Sequence, residues 1–344
     1  MSVIANYFAK SGNIDVHLCV YGISKNQFYT LHKNVQIHIP DFDFNNERRF
    51  INTLKTMKFL RHKVRSLKPD ALLSFGEYWN SFVLLSLYGL SYPVFISDRC
   101  QPDKSLGRLH DILRKVLYPK AAGIIFQTEA ARSIYSRIVR HKNNAVIGNP
   151  IQEIALTAGT HRENIVLSLG RLIPSKHHDM LIDIFLASYQ PGWKLIIVGG
   201  DVAKGVMLNQ LTAKIARLKA ENKIELTGNI SSVETYYQRS RIFAFTSASE
   251  GFPNVIGEAM SAGLPVVAFD CVAGPSEMIE NEKDGFLIPL FDQQLFSEKL
   301  KLLMKNESLR EQMGAHARAS IKRFAPEIIG QKYEQFIFQE KSLI

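Results

Sequence analysis

Cysteine is scarce in this 344-residue sequence, and the three that occur lack the spacing of a metal or redox site. Cys19, Cys100 and Cys271 lie far apart and form no CxxC pair, which argues against a zinc cluster or a disulfide framework. Free cysteine is among the most frequently buried residue types, so we predict three buried thiols in a reducing compartment.

Long apolar runs are missing as well. No stretch approaches the roughly 18 apolar residues that a membrane-spanning helix needs, and no signal peptide opens the chain. These absences predict a cytoplasmic protein. No GxGxxG follows a predicted strand, which disfavours a nicotinamide dehydrogenase, and no solenoid-period repeat or low-complexity segment occurs.

Acidic residues are outnumbered by basic ones. The chain has 42 Lys and Arg against 32 Asp and Glu, a net charge of +10, which favours a polyanionic partner. We expect no nucleic acid, because no recognised binding module accompanies the charge. The residue pattern of 48–68 predicts a basic helix with an apolar stripe that packs on a sheet. Its basic flanks can contact an anionic membrane surface. The stripe consists of Phe50, Leu54, Met57, Leu60, Val64 and Leu67.

Short β-branched runs alternate with helical patterns along most of the chain. This alternation predicts an α/β fold with mostly parallel sheets covered by helices on both faces. The predicted strands are DVHLCV, VQIHI, ALLSF, PVFIS, AGIIFQ and NAVIG, followed by NIVLSLG, KLIIVGG, KIELTG, RIFAFTS, LPVVAF and GFLIP.

The strand series breaks once, between about Asn149 and Glu163, where a polar connector replaces the periodic pattern. We therefore predict two tandem Rossmann-like doubly wound domains, 1–150 and 151–325, whose strand ends face a cleft. A C-terminal helix over 326–344 is expected to pack back on the first domain.

The stretch SASEGFPNVIGEAM follows a predicted strand and carries two carboxylates. Gly251 permits close backbone approach, and Pro253 suits a first helical position. The amides of Asn254 and Val255 would then be free to bind an anion at the positive end of a helix, as a diphosphate requires. Glu258 lies one turn further and is placed to accept hydrogen bonds from a ribose diol, while Glu250 is placed to reach sugar hydroxyls.

A second element repeats this design after the strand NIVLSLG. Gly170 and Arg171 follow the strand, and Lys176 is expected to open the next helix, so two cations lie where a diphosphate would leave. Taken singly, each carboxylate also fits an ordinary helix-terminal charge, and the cation pair also fits a solvated loop.

Together these motifs, with AMSAGLPVVAFD and DGFLIP, resemble a retaining glycosyltransferase of family 4 with its Glu-x7-Glu pattern. The resemblance covers nearly the whole chain. It implies the GT-B fold, with the nucleotide sugar on the C-terminal domain and no metal or other cofactor. It also implies the site residues. The catalytic residues would be Glu250 at the donor sugar and Arg171 and Lys176 at the diphosphate. Glu258 would bind the ribose. The other donor-binding residues would be Gly170, Asn229, Gly251, Phe252, Pro253, Asn254 and Val255.

The first domain differs from this family at its start. The chain opens directly in the helix SVIANYFAK, so the first strand and the Gly-rich loop of the family are missing and Met1 resembles an internal methionine. ISDRCQPD resembles the family's acceptor-facing segment, with Asp98 in place of Glu, so Arg99 is an acceptor-side candidate. Glu77, after the strand ALLSF, is another, although a lone surface acid is more often structural.

Two rival motifs carry less weight. Asp41 and Asp43 form a DxD pattern, which here indicates a turn with solvated acids. His177 and His178 lack the spacing of a helical zinc pair and are expected on a helix surface.

The sequence thus predicts transfer of a hexose or N-acetylhexosamine, from a nucleotide sugar that we expect to be UDP-linked, to a saccharide or lipid-linked acceptor in surface polysaccharide or lipopolysaccharide assembly. Two alternatives stay open at this point. One is an N-terminally truncated nucleotide-sugar-binding protein without transfer activity, and the other is a GT-B epimerase that acts on the nucleotide sugar itself.

Overall fold

The chain folds into two compact units, described here from a computed structural model. Unit 1 comprises Met1–Pro150 and Pro326–Ile344, and unit 2 comprises Ile151–Ala325. The residues that the structure describes are 1–21, 30–156, 159, 161–201 and 205–338.

Unit 1 contains six strands and six α-helices in its described part. The strands are β1 (His17–Cys19), β2 (Gln36–His38), β3 (Leu72–Phe75), β4 (Val94–Ser97), β5 (Gly123–Phe126) and β6 (Asn144–Val146). The helices are α1 (Ser2–Ser11), α2 (Arg49–Leu67), α3 (Glu77–Ser86), α4 (Arg108–Leu117), α5 (Glu129–Ser136) and, after the passage through unit 2, α13 (Pro326–Phe338).

The strands of unit 1 form two parallel sheets. One has the order β3-β4-β5-β6, and the other pairs β1 with β2; no ladder joins the two sheets within the described residues. Helix α13 packs against α1, where the Tyr7 hydroxyl lies 3.2 Å from a carboxylate oxygen of Glu334. Gly330 makes this approach possible, because a Cβ there would lie 2.3 Å from the Tyr7 ring.

Helix α2 does not bury the whole apolar stripe that its sequence predicts. Leu60 and Val64 are buried as expected, but Phe50 and Leu54 are 76% and 49% exposed. Asn52 is buried nearer the start of the helix and donates from its side-chain amide to the Asn45 carbonyl at 3.0 Å. Because that polar group is satisfied when buried, the first turns of α2 present a different face to the unit than periodicity suggests.

Unit 2 contains six strands and seven α-helices in its described part. The strands are β7 (Ile165–Leu169), β8 (Lys194–Val198), β9 (Ile224–Gly228), β10 (Ile242–Phe245), β11 (Val266–Phe269) and β12 (Gly285–Ile288). The helices are α6 (His178–Ser188), α7 (Val206–Arg217), α8 (Glu234–Arg239), α9 (Asn254–Ser261), α10 (Pro275–Met278), α11 (Gln293–Lys305) and α12 (Glu307–Ser320).

A single parallel sheet runs through unit 2 in the order β12-β11-β10-β7-β8-β9. This is the doubly wound arrangement, with the order reversing between β7 and β10. Apolar side chains cover both faces of the sheet, and Phe185, Phe243 and Phe296 are fully buried among them. Each of the twelve predicted strand segments contains a strand, so the α/β prediction is confirmed.

The exposure of the cysteines and the length of the helices test two further predictions. Cys271 is buried, but Cys100 is exposed and Cys19 is intermediate, so the prediction of three buried thiols is wrong. Burial raises the pKa of the Cys271 thiol to about 12. Within the described residues, no helix has both the length and the apolar character needed to cross a membrane.

Candidate functional site

The candidate site lies at the carboxyl edge of the unit 2 sheet, beside the neighbouring strands β7 and β10. The strand order reverses there, so the loops that follow these strands diverge and leave a crevice of the kind that binds ligands in open α/β sheets. Two hydrogen bonds tie the loops together. The Ala248 amide donates to the Ser175 carbonyl at 2.9 Å, and the Thr246 hydroxyl donates to the Lys176 carbonyl at 2.8 Å.

Lys176 and Glu250 form an ion pair between these two loops. Their side chains are only 16% and 14% exposed, so water screens the pair much less than a surface salt bridge. The prediction that Lys176 opens a helix is wrong, because Lys176 ends a 3-10 turn, Pro174–Lys176, and α6 begins two residues later. The ammonium is therefore held on a tight turn at the crevice, with its charge already oriented.

Gly170 and Arg171 form the turn after β7, and this turn lies against the end of β8. The Gly170 amide donates to the Val198 carbonyl at 2.9 Å, and a Cβ on Gly199 would lie 1.8 Å from the Gly170 carbonyl oxygen. The backbones of the two strands therefore approach as closely as glycine allows. Arg171 is exposed at this edge, where its planar guanidinium is free of burial and can offer paired donors to an anion.

His178 lies beneath this turn and is buried, so its predicted place on a helix surface is wrong. Burial lowers the pKa of His178 to about 4, the Lys176 ammonium acts in the same direction, and the backbone of Gly170 and Arg171 opposes both. Neither ring nitrogen reaches a partner with full hydrogen-bond geometry among the described residues. His178 is thus a neutral imidazole that supports the turn from below.

We expect unit 2 to lose stability as pH falls from about 6.5 to about 4, in part through His178. The unfolded chain takes up a proton near the ordinary pKa of 6.5, and the folded chain does so only near 4, so the unfolded state binds more protons between these values. The contribution at pH 4 is about 3 kcal/mol relative to pH 7. Denaturant unfolding of His178→Leu at several pH values should show a free energy of unfolding that depends less steeply on pH than that of wild type.

Substitution of the exposed His316 in the same unit provides the control. His316→Leu makes the same side-chain change at an exposed position and so measures the effect of the substitution itself. An unchanged slope in His178→Leu would contradict the assignment of a buried neutral imidazole.

Glu258, on helix α9, accepts a hydrogen bond at 2.8 Å from the hydroxyl of Tyr237, which is fully buried on helix α8. Burial raises the pKa of Glu258, and the hydrogen bond from Tyr237 acts against this rise. The Tyr237 ring packs at 6.0 Å from the ring of Phe243, which fixes the direction of its hydroxyl. The carboxylate is therefore held in one orientation by a residue that lies 21 positions away in the sequence.

The start of helix α9 differs in detail from its prediction. Pro253 is the N-cap residue and lies before the first helical position. The Asn254 amide donates to the Phe252 carbonyl at 3.0 Å, so the prediction that this amide is free is wrong. Gly251 is half-buried, Phe252 and Pro253 are buried, and Val255 is half-buried behind them. The segment is a rigid corner, in which Pro253 packs so closely on Gly274 that a Cβ there would lie 2.2 Å from the proline ring.

Two further glycines at this edge were missed by the motif search. Gly199 and Gly200 end the strand segment KLIIVGG, and this glycine pair directly after a strand was the signal available in the sequence. Asn229, which follows Gly228 after β9, lies beside Gly200, because a Cβ on Gly200 would be 3.2 Å from that of Asn229. The edge from β7 to β9 thus presents backbone with little side-chain cover. Tyr237 was missed as well, and no local pattern marks it.

Glu77 and Arg99 lie together in unit 1. Glu77 is buried, so its description as a lone surface acid is wrong. One of its carboxylate oxygens accepts hydrogen bonds from the backbone amides of Arg99 and Cys100. The Arg99 guanidinium donates to the side-chain oxygen of Asn149 and, at 2.9 Å, to the Tyr333 hydroxyl. Glu77 therefore fixes the loop after β4, and Arg99 connects that loop to the end of unit 1 and to α13.

The rival motifs gain no support from the structure. Asp41 and Asp43 are exposed in the segment between β2 and α2. In the part of the chain that the structure describes, no group of three His, Cys, Asp or Glu side chains is arranged to hold a metal ion.

Comparison with protein families and sequences finds similarity to glycosyltransferases. Residues 153–320 match the family described as Glycosyl transferases group 1. The amylovoran biosynthesis glycosyltransferase AmsD of Erwinia amylovora is 27% identical over 336 residues, which cover 94% of this chain and 91% of that protein. A Campylobacter jejuni protein named as a GalNAc-alpha-(1->4)-GalNAc-alpha-(1->3)-diNAcBac-PP-undecaprenol alpha-1,4-N-acetyl-D-galactosaminyltransferase is 24% identical and covers 92% of this chain and 88% of its own length.

Solved structures agree on the fold. Sucrose-phosphate synthase from Thermosynechococcus elongatus matches with a TM-score of 0.84 at 15% identity, over 99% of this chain and 92% of its own. A TarM variant from S. aureus, solved with UDP, alpha-GlcNAc-glycerol and fondaparinux, matches with a TM-score of 0.70 at 22% identity and covers 82% of this chain. This chain spans 59% of that TarM structure. The predicted GT-B fold is confirmed.

Proposed function

We propose that this chain is a retaining glycosyltransferase of family 4 that transfers a hexose or N-acetylhexosamine from a UDP-linked donor to a saccharide or lipid-linked acceptor in surface polysaccharide or lipopolysaccharide assembly. The observation that carries the proposal is the Lys176–Glu250 ion pair at the switch point between β7 and β10, beside Arg171 and within the same corner as Glu258. This edge supplies cations for a diphosphate and carboxylates for the hydroxyls on either side of it.

The leaving group sets the chemistry of the proposed reaction. Negative charge develops on the diphosphate as its bond to the anomeric carbon breaks, and Arg171 and Lys176 meet this charge with donors that are already in place. The sugar passes through an oxocarbenium-like state, and the acceptor oxygen forms the new bond on the face from which the diphosphate leaves. The proton of the acceptor hydroxyl passes to the departing phosphate oxygen. Glu250 binds the sugar hydroxyls in this scheme. It loses part of its contact with Lys176 when the phosphate oxygens take that ammonium as their partner.

Ribose and base recognition fall to the remaining site residues. We propose that Glu258 accepts hydrogen bonds from the ribose diol, and that its fixed orientation by Tyr237 favours a single ribose position. Asn229 and Gly228 would contact the base. Gly170 and the corner from Gly251 to Val255 would follow the phosphates with backbone and small side chains. Neither a metal ion nor another cofactor has a part in this scheme.

The choice of acceptor rests on the relatives. The Erwinia amylovora protein is named for amylovoran biosynthesis, and the Campylobacter jejuni protein for a saccharide linked to PP-undecaprenol. These names favour transfer over epimerisation and over donor binding without turnover. We further propose that the chain works in the cytoplasm at the inner face of the membrane, and that Glu77 and Arg99 shape the acceptor side.

A transfer assay separates these three activities. The full chain is incubated with UDP-hexoses and UDP-N-acetylhexosamines, with and without undecaprenol diphosphate-linked saccharides, and products are identified by mass spectrometry and NMR. A glycosylated acceptor with the donor's anomeric configuration supports the proposal. Conversion of the donor sugar without acceptor identifies an epimerase, and donor binding with no product in any arm identifies a binding protein.

Replacing Tyr237 by Phe is expected to weaken UDP binding about fivefold to tenfold near pH 7 and to move the acid limit of binding to higher pH. The hydroxyl of Tyr237 opposes the raised pKa of Glu258, so its removal raises that pKa further. The ribose diol needs an ionised acceptor, and binding is lost as pH falls through the pKa of Glu258. Calorimetric titrations of UDP across this range measure both effects.

Tyr236→Phe is the matched control, since this neighbour on α8 makes no hydrogen bond to Glu258 among the described contacts. An acid limit that stays the same in Tyr237→Phe would show that Glu258 does not bind the ribose.

A further inference from the structure

The net positive charge of this protein comes from the first 150 residues of the sequence. Residues 1–150 contain 21 Lys and Arg against 10 Asp and Glu, a net charge of +11, whereas residues 151–344 contain 21 against 22 and are nearly neutral. The proposed donor site, with its need for cations at a diphosphate, lies in the nearly neutral part. The excess charge of unit 1 therefore calls for a separate explanation.

Helix α4 of unit 1 presents an apolar stripe to solvent. Leu109, Ile112 and Val116 are 67%, 58% and 53% exposed, and their spacing of three and four residues places them on one face of the helix. Arg108 and Lys115 are exposed along one border of this stripe.

The opposite face of α4 already anchors the helix to unit 1. Leu117 and Arg114 are buried there, and Leu117 belongs to the hydrophobic core around β4 and β5. The exposed stripe is thus not a packing face left open by poor docking. It is a second apolar face with a basic border, and such a face indicates an interaction.

Helix α3 continues this surface on one side of α4. The ring of Tyr78, 50% exposed, lies 4.5 Å from the ring of His110 at the start of α4. At the other end, Tyr88 is 61% exposed, and the Lys120 ammonium lies 4.4 Å from its ring. The first contact joins α3 to α4, and the second joins the segments that directly follow these helices. We call the combined set of exposed residues the α3–α4 surface. It comprises Tyr78, Tyr88, Leu109, Ile112 and Val116 with Arg108, Lys115 and Lys120.

We propose that the α3–α4 surface docks unit 1 on an anionic lipid bilayer. An amphipathic helix that lies in the membrane interface has this composition, with aliphatic side chains entering the acyl boundary and Lys or Arg at the headgroups. Exposed tyrosines suit the same depth, because each has an apolar ring and a polar tip. The lysine and arginine stems extend along the apolar stripe and place their charges at its border.

The charge pattern favours a bilayer over a protein partner. Asp111 is the acid on α4, and its carboxylate is occupied by the Ser105 hydroxyl at 2.7 Å and the Leu106 amide at 3.3 Å. The remaining excess of cations is spread along residues 1–150 of the sequence. A diffuse field of this kind is attracted to the continuous negative potential of anionic lipids.

This inference deepens the proposed function and rests on it for its purpose, because a lipid-linked acceptor is presented at a membrane surface. It also moves the predicted membrane contact. The sequence places that contact on the basic flanks of α2, whereas we place it on α4, because the exposed apolar residues of α4 run along the whole helix and those of α2 are confined to its first turns.

The test is co-sedimentation of the full chain with vesicles of phosphatidylglycerol and phosphatidylcholine, beside vesicles of phosphatidylcholine alone. Wild type should bind the anionic vesicles and lose most binding at high salt. Arg108→Glu with Lys115→Glu should weaken the partition constant about thirtyfold or more, since two attractive charges become repulsive. Leu109→Gln with Ile112→Gln should weaken it about tenfold.

Two control pairs match these variants. Lys301→Glu with Lys305→Glu on exposed positions of α11 changes the net charge equally and should leave vesicle binding nearly unchanged. Phe50→Gln with Leu54→Gln removes the exposed apolar side chains of α2 and should have a smaller effect than the α4 pair. Circular dichroism confirms that each variant is folded.

Three outcomes overturn the proposal. The first is that wild type binds both vesicle types weakly and equally, the second is that the α2 pair abolishes binding while the α4 pairs retain it, and the third is that the α4 pairs alter only self-association or capture of a protein partner. UDP titration of the same samples distinguishes the two proposals. UDP binding without vesicle binding defeats only the docking surface, and vesicle binding without UDP binding defeats only the proposed function.

Discussion

Arg171→Ala and Lys176→Ala are each expected to lower kcat/KM for sugar transfer by about 10²- to 10³-fold. Each removes one preorganised donor from the diphosphate, and the loss of such a donor typically costs about 3 to 4 kcal/mol of transition-state stabilisation. The effect should fall mainly on kcat, because the charge that these cations stabilise grows as the bond to the leaving group breaks.

The two variants should differ in stability. Arg171 is exposed, so its truncation is expected to change the free energy of unfolding by less than about 0.5 kcal/mol. Lys176→Ala removes the partner of Glu250, whose side chain is only 14% exposed, and is expected to cost about 2 kcal/mol. The additional variant Glu250→Gln in Lys176→Ala should recover much of that loss, because the unpaired charge is then gone.

A surface ion pair of the same unit supplies the control. Lys214 of α7 pairs with Asp183 of α6 at 2.6 Å, and Lys214→Ala should leave kcat/KM unchanged. Equal losses in Lys214→Ala and Lys176→Ala would mean that the loss reflects general stability, and the roles given to Arg171 and Lys176 would then be wrong.

Gly199→Ala is expected to destabilise unit 2 by about 3 kcal/mol or more and to abolish donor binding in the fraction that stays folded. A Cβ at this position would lie 1.8 Å from the carbonyl oxygen of Gly170, and backbone on both sides leaves no flexible side chain to move aside. Relief requires β8 to separate from the turn that carries Arg171. Thermal unfolding and UDP titration measure the two effects.

The adjacent glycine is the matched control. A Cβ on Gly200 would meet only the side chain of Asn229, at 3.2 Å, so Gly200→Ala should cost less than about 1 kcal/mol. Wild-type unfolding of Gly199→Ala would show that β7 and β8 do not approach as closely as described.

The sequence predicts the strands of this fold well, because each is a short β-branched run bounded by turn residues. Val94–Ser97 and Gly123–Phe126 are buried along their whole length, as expected for parallel strands covered on both faces. The order of the six strands in unit 2 is not written in these runs. The order can be derived only once the path of the chain between the strands is known. It is this order that brings Lys176 into contact with Glu250, 74 residues away in the sequence.

Local periodicity could not predict the burial of polar residues. Asn52 takes a buried position on α2 because Asn45 accepts its amide, and this leaves Phe50 exposed. His178 is buried because His177, in a left-handed conformation with φ of 49°, ends one turn and begins the next helix. In both cases, a hydrogen bond or a turn outside the periodic pattern decides which side of the chain faces the core.

The candidate site divides in the same way. Motif spacing predicts the residues of the donor site. The predicted residues that follow β7 and β10 lie together at one edge of the sheet. The partners that orient them are not visible in the sequence, since the bond from Tyr237 to Glu258 and the approach of Gly199 to Gly170 depend on packing between separate strands and helices.

Calorimetric titration of UDP-sugars and GDP-sugars into the full chain is the decisive test of the proposed donor site. We expect that a UDP-linked hexose or N-acetylhexosamine binds at one site, that UDP alone competes with it, and that NAD gives no heat. Failure of every nucleotide sugar to bind a chain that circular dichroism shows to be folded would contradict the proposed donor site.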